Sequence, residues 1–465
     1  MGKNIHSNRE RELLRRATRV LPQGTLGNLD YDRLIKRGKG SHIWDESDNE
    51  YIDYLLGSGP MIVGHAHPEV NAAVEEQIDL GTTFFATNEK SILLAEEIIK
   101  AVPCAEKVRY CSTGSEATLY AMRVARAFRS RDKILKFEGG FHGMNDYALM
   151  SMSPKRLFDF PKSEPDSAGI PKSLQSEVLI APFNNIDMTS EIIKSNHDDI
   201  GGVIVEPFQR LIPPKPGFLE GLREVTEKYE IPLIFDEIVT GFRFSYGGAQ
   251  EYYGVTPDIC TLGKSVAGGF PLTAVAGKTD IMDHFDIDKV SSDSYLLQLG
   301  TLSGNPVAAS AGLATLKILR RKGIYEQIFD TGRKVMTGLQ DMLDAAEIPA
   351  QVIGEPVLFD VFFTNKQVSD YRTSLHGDMD MLNKFNELLL EEGIFKGTTK
   401  YYFSDENKKN SYRSIKLFEK RIIEYSSKLQ TLESNTDKII DYVENTKNKD
   451  KKKYKFWELL FDDKK

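Results

Sequence analysis

Only three cysteines occur in 465 residues, Cys104, Cys111 and Cys260. They are too few and too scattered for a disulfide framework or a cysteine-rich zinc site. No apolar run approaches the roughly 18 residues that a membrane helix needs, and residues 1–19 are charged, without the apolar stretch of a secretion signal. A positive excess is also missing: 60 Lys and Arg against 68 Asp and Glu leave a formal charge of −8. Binding to nucleic-acid phosphates needs a concentrated positive surface, so a nucleic-acid scaffold is disfavoured. These absences point to a soluble, cytoplasmic protein of a reducing compartment, with no metal, membrane or nucleic-acid partner. What is present, 40% hydrophobic and 28% charged residues with 36 Gly and 19 Pro, is the composition of a globular chain of two or three domains.

Short apolar runs alternate with helical stretches from about residue 60 to 310, the pattern of a mostly parallel sheet. Residues 108–111, 134–137, 178–181, 202–205, 233–235 and 259–262 carry the runs. They show no polar alternation, as expected of strands covered on both faces. Helical spacing runs through 116–129, where Leu119, Met122, Ala125 and Phe128 recur, and a second helix is expected over 218–229. Residues 313–321 and 325–346 read as helices and 357–363 as a strand. The expected division is a segment 1–60 belonging to a smaller α+β domain, a large α/β domain over 61–310, the rest of the small domain over 311–404, and an atypical helical, Lys-rich tail over 405–465.

In open α/β sheets ligands sit beyond the carboxyl ends of the strands, and five motifs fall there. Leu233-Ile234-Phe235-Asp236-Glu237 delivers a carboxylate to a strand end; a capping or ion-pairing Asp is the plain alternative. Some 28 residues on, Gly263-Lys264-Ser265 follows the run 259–262. Burial there lowers the pKa of a lysine amine, and the small flanks Gly263, Ala267, Gly268 and Gly269 leave room for a bulky group on it. Ser112-Thr113-Gly114-Ser115-Glu116-Ala117 opens a helix, where free N–H groups and the positive dipole end suit a phosphate, although a simple N-cap explains the residues equally well. Phe141-His142-Gly143 offers an aromatic ring and an imidazole beside glycines, and Gly300-Thr301-Leu302-Ser303-Gly304-Asn305-Pro306 a turn rich in hydroxyls and N–H groups.

Together these motifs make a phosphate cradle, a ring-stacking aromatic, a carboxylate for a pyridinium nitrogen and a Schiff-base lysine, the parts of a pyridoxal phosphate site. In that order the sequence resembles the class III (subgroup II) aminotransferases of fold type I, nearest the branch that contains glutamate-1-semialdehyde aminomutase. The likeness runs over residues 18–313 and more weakly to about 404. Gly64-His65-Ala66-His67-Pro68 and the stretches 236–243, 247–264 and 300–306 carry it beside the motifs above. The resemblance implies a large domain with a mostly parallel seven-stranded sheet covered by helices on both faces, a smaller α+β domain, and pyridoxal 5'-phosphate as cofactor. It implies further that Lys264 carries the Schiff base and shuttles the proton, Asp236 pairs with the ring nitrogen, Ile238 lies beneath the ring and Phe141 stacks above it with His142 alongside. Thr113, Gly114 and Ser115 would hold the phosphate. Thr301 would reach the phosphate of a neighbouring subunit, which implies a homodimer with shared active sites.

Two departures bear on the substrate. Aminomutases of the branch carry an Asn-Ser-Pro-Val-Arg-type segment and an aromatic before a Gly-Pro; this chain reads Pro22-Gln23-Gly24-Thr25-Leu26-Gly27 and Ser58-Gly59-Pro60. On that ground a ping-pong aminotransferase with an amino acid or amine donor and a keto acid acceptor is the first expectation. An intramolecular aminomutase is the second, and an inactive protein that keeps the fold for binding a partner is the third. For a carboxylate-bearing substrate Arg210 and Ser58 are the candidates, with Arg243 as another, since a guanidinium fork suits bidentate binding. Beyond residue 404 the apolar positions Ile415, Phe418, Ile422, Tyr425, Leu429, Leu432, Ile439 and Val443 follow heptad spacing, broken at Thr436. A lengthened closing helix and a coiled-coil arm both fit.

Overall fold

The apolar runs assemble into one sheet in this computed structural model, which describes residues 6–28, 33–411 and 413–418. Three short strands come first: β1 (Ile35–Lys39), β2 (His42–Asp45) and β3 (Glu50–Asp53). The central strands are β4 (Lys107–Cys111), β5 (Lys133–Phe137), β6 (Val178–Ala181), β7 (Ile200–Val205), β8 (Leu233–Glu237), β9 (Ile259–Leu262) and β10 (Thr273–Gly277). Their order across the sheet is β4-β10-β9-β8-β7-β5-β6. Neighbours from β9 through β6 run parallel, and β10 alone lies antiparallel to both β9 and β4. Every residue of β6 through β10 is buried, which is why these runs lack polar alternation. The expected seven-stranded α/β sheet is therefore present.

Of the seven central strands, the one absent from the sequence reading is β10. Its Thr-Ala-Val-Ala-Gly composition is poor in β-branched and aromatic residues, so propensity undersells it. Small residues are nevertheless required there: a Cβ at Gly277 would stand 2.7 Å from the Asp258 carbonyl oxygen. The helix expected over 313–321 starts earlier and spans Pro306–Leu319, because Asn305 accepts from the Val307 and Ala308 N–H groups at 3.0 and 3.2 Å and Pro306 takes the first position.

Two smaller sheets flank the site. Strand β3 pairs in parallel with β13 (Ile394–Phe395) in the four-stranded order β1-β2-β3-β13, so the first and last parts of the chain share a sheet. β11 (Gln351–Glu355), β12 (Leu358–Phe362) and β14 (Tyr401–Tyr402) form the third sheet. Of the heptad positions, Phe418 is fully buried and meets Tyr401 edge-on at 5.9 Å, and Ile415 packs against this core. The positions from 422 onward and the Lys-rich stretch lie outside the described residues. No helix among the described residues is long and apolar enough to cross a membrane.

Candidate active site

Register places the chemistry. Asp236 near the end of β8 lies opposite Thr261 on β9, and Lys264 follows β9 by two residues. The Thr261 hydroxyl donates to Asp236 Oδ1 at 2.9 Å, and the Ile238 N–H donates to the same oxygen at 3.2 Å. His142 Nδ1 lies 2.7 Å from Asp236 Oδ2; a carboxylate only accepts, so Nδ1 carries the proton. Asp236 is 4% exposed and has no Lys or Arg in ion-pair range among the described residues. His142 Nε2 is buried without a hydrogen-bond partner.

Lys264 has a left-handed backbone, φ 47°, a strained conformation for a side chain with a Cβ. Its amine donates to the Ser58 carbonyl at 2.8 Å. The Lys264 pKa lies below the ordinary lysine value, first through burial and then through the positive charges of Lys400 and Arg243, while Tyr402 and Asp236 pull the other way. Ser58 itself sits in a run of four left-handed residues, Leu56, Gly57, Ser58 and Gly59, with φ of 50°, 66°, 67° and 110°. Arg243 holds that run in place. Its fully buried guanidinium donates to the Gly59 carbonyl and, at 3.0 Å, to the Phe403 carbonyl. With no carboxylate nearby, burial pushes its pKa down to about 10.

Thr113 caps the helix Gly114–Arg129 in a reciprocal box: its hydroxyl accepts from the Glu116 N–H, and the Glu116 carboxylate accepts from the Ser112 and Thr113 N–H groups. The Gly114 and Ser115 N–H groups at the helix start are left for an anion. The Ser115 hydroxyl accepts from the Met144 N–H at 2.9 Å, tying this turn to the Phe141–His142 loop. Ile238 fills the space between: a Cβ on Gly263 would come within 2.9 Å of its Cδ1, and one on Gly114 within 3.5 Å.

Phe141 is half-buried, and its N–H donates to Glu206 at 2.8 Å. Arg210 is exposed with φ 61°, its guanidinium carbon 5.2 Å from the centre of the Phe141 ring. The structure thus gathers Asp236, His142, Ile238, Lys264, Ser58, Gly114 and Ser115 into one contact network, with Phe141 and Arg210 attached through Glu206 and the Phe141 loop. No hydrogen bond among the described residues joins Thr301 to it. Thr301 is exposed in a turn whose Asn305 donates to the Thr82 carbonyl at 2.6 Å. The sequence reading passed over Thr261, Tyr402, Lys400 and the clamp made by Arg243. Thr261 had a signal, a polar residue inside an otherwise apolar strand; Lys400 and Tyr402 had none, since they come from β14 and the residue just before it, far away in sequence.

A pyridine ring with a phosphate fits these residues. A buried carboxylate without a full cationic partner is costly, and a protonated ring nitrogen supplies one at Asp236. The unpartnered His142 Nε2, the free N–H pair at Gly114 and Ser115, the small residues around Ile238 and a half-buried amine at Lys264 complete the fit.

Comparison with known proteins agrees. Residues 27–449 match the family described as aminotransferase class-III. The chain is 40% identical over 378 residues to a glutamate-1-semialdehyde 2,1-aminomutase of Natranaerobius thermophilus, covering 80% of this chain and 86% of that protein. Its structure resembles an omega-transaminase from Sphaerobacter thermophilus with a TM-score of 0.84 and 32% identity, over 89% of this chain and 97% of the other. A transaminase with PLP bound gives a TM-score of 0.82 at 27% identity, over 91% and 99%.

Proposed function

This chain belongs to the class-III aminotransferase family and its cofactor is pyridoxal 5'-phosphate; from that premise we propose that it is an aminomutase, moving an amino group between adjacent carbons of one small molecule of the glutamate-1-semialdehyde type. The observation that carries amino-group chemistry is the opposed pair of the buried Asp236 carboxylate, held by His142 and Thr261, and the Lys264 amine on Ser58. The likeness to proteins named as aminomutases supports the intramolecular reaction over the intermolecular one.

When bound, the cofactor supplies an aldehyde for the amino group and a protonated ring that draws off electrons. The chain's own residues do the rest. Lys264 Nζ, kept uncharged more readily by burial and by Lys400 and Arg243, would move the proton between the substrate carbon that carries the amino group and C4′ of the cofactor. The Ser58 carbonyl orients that amine. Asp236 would hold a proton on the ring nitrogen, and His142 and Thr261 orient its carboxylate. Ile238 and Phe141 would enclose the ring and exclude water. Thr113, Gly114 and Ser115 would hold the phosphate. Thr301 serves the neighbouring subunit's phosphate in a homodimer, a reading supported by its exposure beside the exposed apolar Leu299 and Leu302.

A ping-pong aminotransferase is the second reading. Ser58-Gly59-Pro60, without the aromatic of the aminomutase branch, and the 32% identity to an omega-transaminase support it. Incubating the purified holoprotein with glutamate-1-semialdehyde alone separates the two. The aminomutase turns over steadily without an added keto acid; a single turnover that resumes only with a keto acid establishes the second reading instead. Lys264→Ala abolishes either.

A further inference from the structure

We infer that one buried water bridges His142 Nε2 and Gln209 Oε1, and that through it Gln209 is a positioning residue for the Asp236 carboxylate. The bridge follows from the chain's own hydrogen bonds; only its effect on turnover rests on the amino-transfer reading above.

Two neighbouring groups are each left as an acceptor without a donor. The neutral His142 ring carries its one proton on Nδ1, which faces Asp236 Oδ2 at 2.7 Å, so Nε2 presents a lone pair. Gln209 stands four residues past the end of β7, and its Nε2 donates to the Glu138 carbonyl at 2.8 Å. That bond sets the orientation of the amide and leaves Oε1 as an acceptor. Both residues are 1% exposed, and among the described residues neither His142 Nε2 nor Gln209 Oε1 has a partner. Two acceptors cannot satisfy each other, and buried polar atoms are seldom left unsatisfied. The ring N–H of a bound cofactor, given to Asp236, serves neither of them.

Gly140 marks where they converge. A Cβ placed on it would stand 3.1 Å from His142 Nε2 and 3.5 Å from Gln209 Oε1, so both atoms border one small space. The Phe137 carbonyl oxygen is 3.0 Å from the same point, and no other atom outside the adjoining residues comes nearer than these three. That carbonyl already accepts the Gly140 N–H at 3.0 Å. All three groups are acceptors, so the occupant must donate. Water donates twice, reaches about 2.7–3.2 Å to each acceptor, and is held when buried by two or more such partners. Backbone conformation does not call for the glycine: Gly139 and Gly143 in the same loop are left-handed, φ 83° and 86°, and Gly140 is not. What keeps a side chain out is the space beside the acceptors.

The bridge fixes His142 at both ends. Nδ1 is held by Asp236, and Nε2 by the water, with Gln209 behind it anchored on the Glu138 carbonyl. Arg372 in turn grips both carboxylate oxygens of Glu138, at 2.7 and 3.0 Å. A ring held in this way cannot swing out of line with Asp236, and a donor at Nε2 keeps its proton on Nδ1.

The test begins with crystals of the holoprotein and of Gly140→Ala, whose methyl takes the space while His142 and Gln209 stay in place. The wild type shows one water within hydrogen-bond distance of both His142 Nε2 and Gln209 Oε1, and the variant shows none. Gln209→Met removes one acceptor and checks the same point without crowding Gly140. In cofactor-free protein labelled with nitrogen-15 histidine, the His142 Nε2 resonance moves in both variants toward that of a ring nitrogen without a hydrogen bond, while Nδ1 keeps its proton. The turnover number falls about threefold to tenfold, the effect of one neutral hydrogen bond, with KM unchanged. A packing role alone would not move the nitrogen resonance. Direct contact of Nε2 with Oε1 in the wild type, with no water between them, overturns the bridge, and so does an Nε2 resonance that stays in place in both variants. Loss of the water with full turnover overturns the positioning role of Gln209. A bridge that behaves as stated, in a protein that transfers no amino group, upholds the water site and removes the amino-transfer reading instead.

Discussion

Arg243 donates to the carbonyl of Gly59, and that bond fixes the turn whose next carbonyl upstream, on Ser58, receives the amine of Lys264. Four successive left-handed residues make the turn intrinsically unfavourable, so something buried must hold it. Replacing Arg243 with Met leaves the Gly59 and Phe403 carbonyls without donors, and urea unfolding should report a loss of about 1–3 kcal/mol. A purely structural role would stop there. Arg243 also lowers the Lys264 pKa, so the pH profile of the Lys264-dependent limb should move to higher pH in the variant. A profile that stays in place would reduce Arg243 to a packing residue.

The floor of the site predicts a rescue. Gly263 has an extended backbone, φ −164°, so alanine there suffers no conformational strain. Its Cβ, however, would press on Ile238 Cδ1 at 2.9 Å and on Thr273 Cγ2 at 3.1 Å. Gly263→Ala should push Ile238 toward the ring position and weaken cofactor retention by about 1–3 kcal/mol, the cost of overpacking. Adding Ile238→Val removes the Cδ1 methyl and should recover most of the cofactor kept through gel filtration. No recovery would mean that Thr273, not Ile238, takes the strain.

Much of this was legible in the chain itself, for reasons that differ by element. Strands β6 and β9 match their expected bounds because Val178–Ala181 and Ile259–Leu262 are apolar runs ended by Pro and Gly. Asp236 and Lys264 were readable because each directly follows such a run. β10 and β11 were not: Ala, Gly and Gln in them are chosen by neighbours, and only the packing against β4, β9 and β12 makes them strands. Lys400 and Tyr402 reach the site from some 140 residues beyond Lys264 through tertiary contact alone, with no local pattern to announce them. Arg243 was visible as a cation, but whether it faces substrate or backbone depends on the turn at Leu56–Gly59, which composition does not reveal.

Asp236→Asn isolates charge from shape. Asparagine keeps the size of the group and an oxygen for the Thr261 hydroxyl and the Ile238 N–H, yet it would no longer favour a proton on the ring nitrogen that the proposed function assigns to this carboxylate. The turnover number should fall on the order of 100-fold while the cofactor's absorbance shows it still bound. Thr261→Val, which removes one orienting hydrogen bond, should cost much less. Wild-type turnover in Asp236→Asn would break the assignment of the carboxylate to the ring nitrogen.

Lys136 carries the pH prediction. It is fully buried on β5 and donates to the carbonyls of Ala148 at 2.8 Å and Met150 at 2.6 Å. Burial pushes its pKa down to about 7, against the pull of Asp166 and Glu206 and with a small push from Arg210. An unfolded lysine titrates near 10.4, so between about pH 7 and that value the unfolded chain binds more protons than the folded one. Stability contributed by this group must therefore rise with pH across that window, and the penalty is fully present below about pH 7. Lys136→Met has no such titration, although it forfeits both hydrogen bonds. Urea midpoints measured from pH 6.5 to 9.5 should show the wild type gaining on the variant as pH rises. General alkaline effects fall equally on both proteins and cancel in the difference. Parallel curves would show that Lys136 keeps its proton throughout, held by the two carbonyls more firmly than burial opposes it.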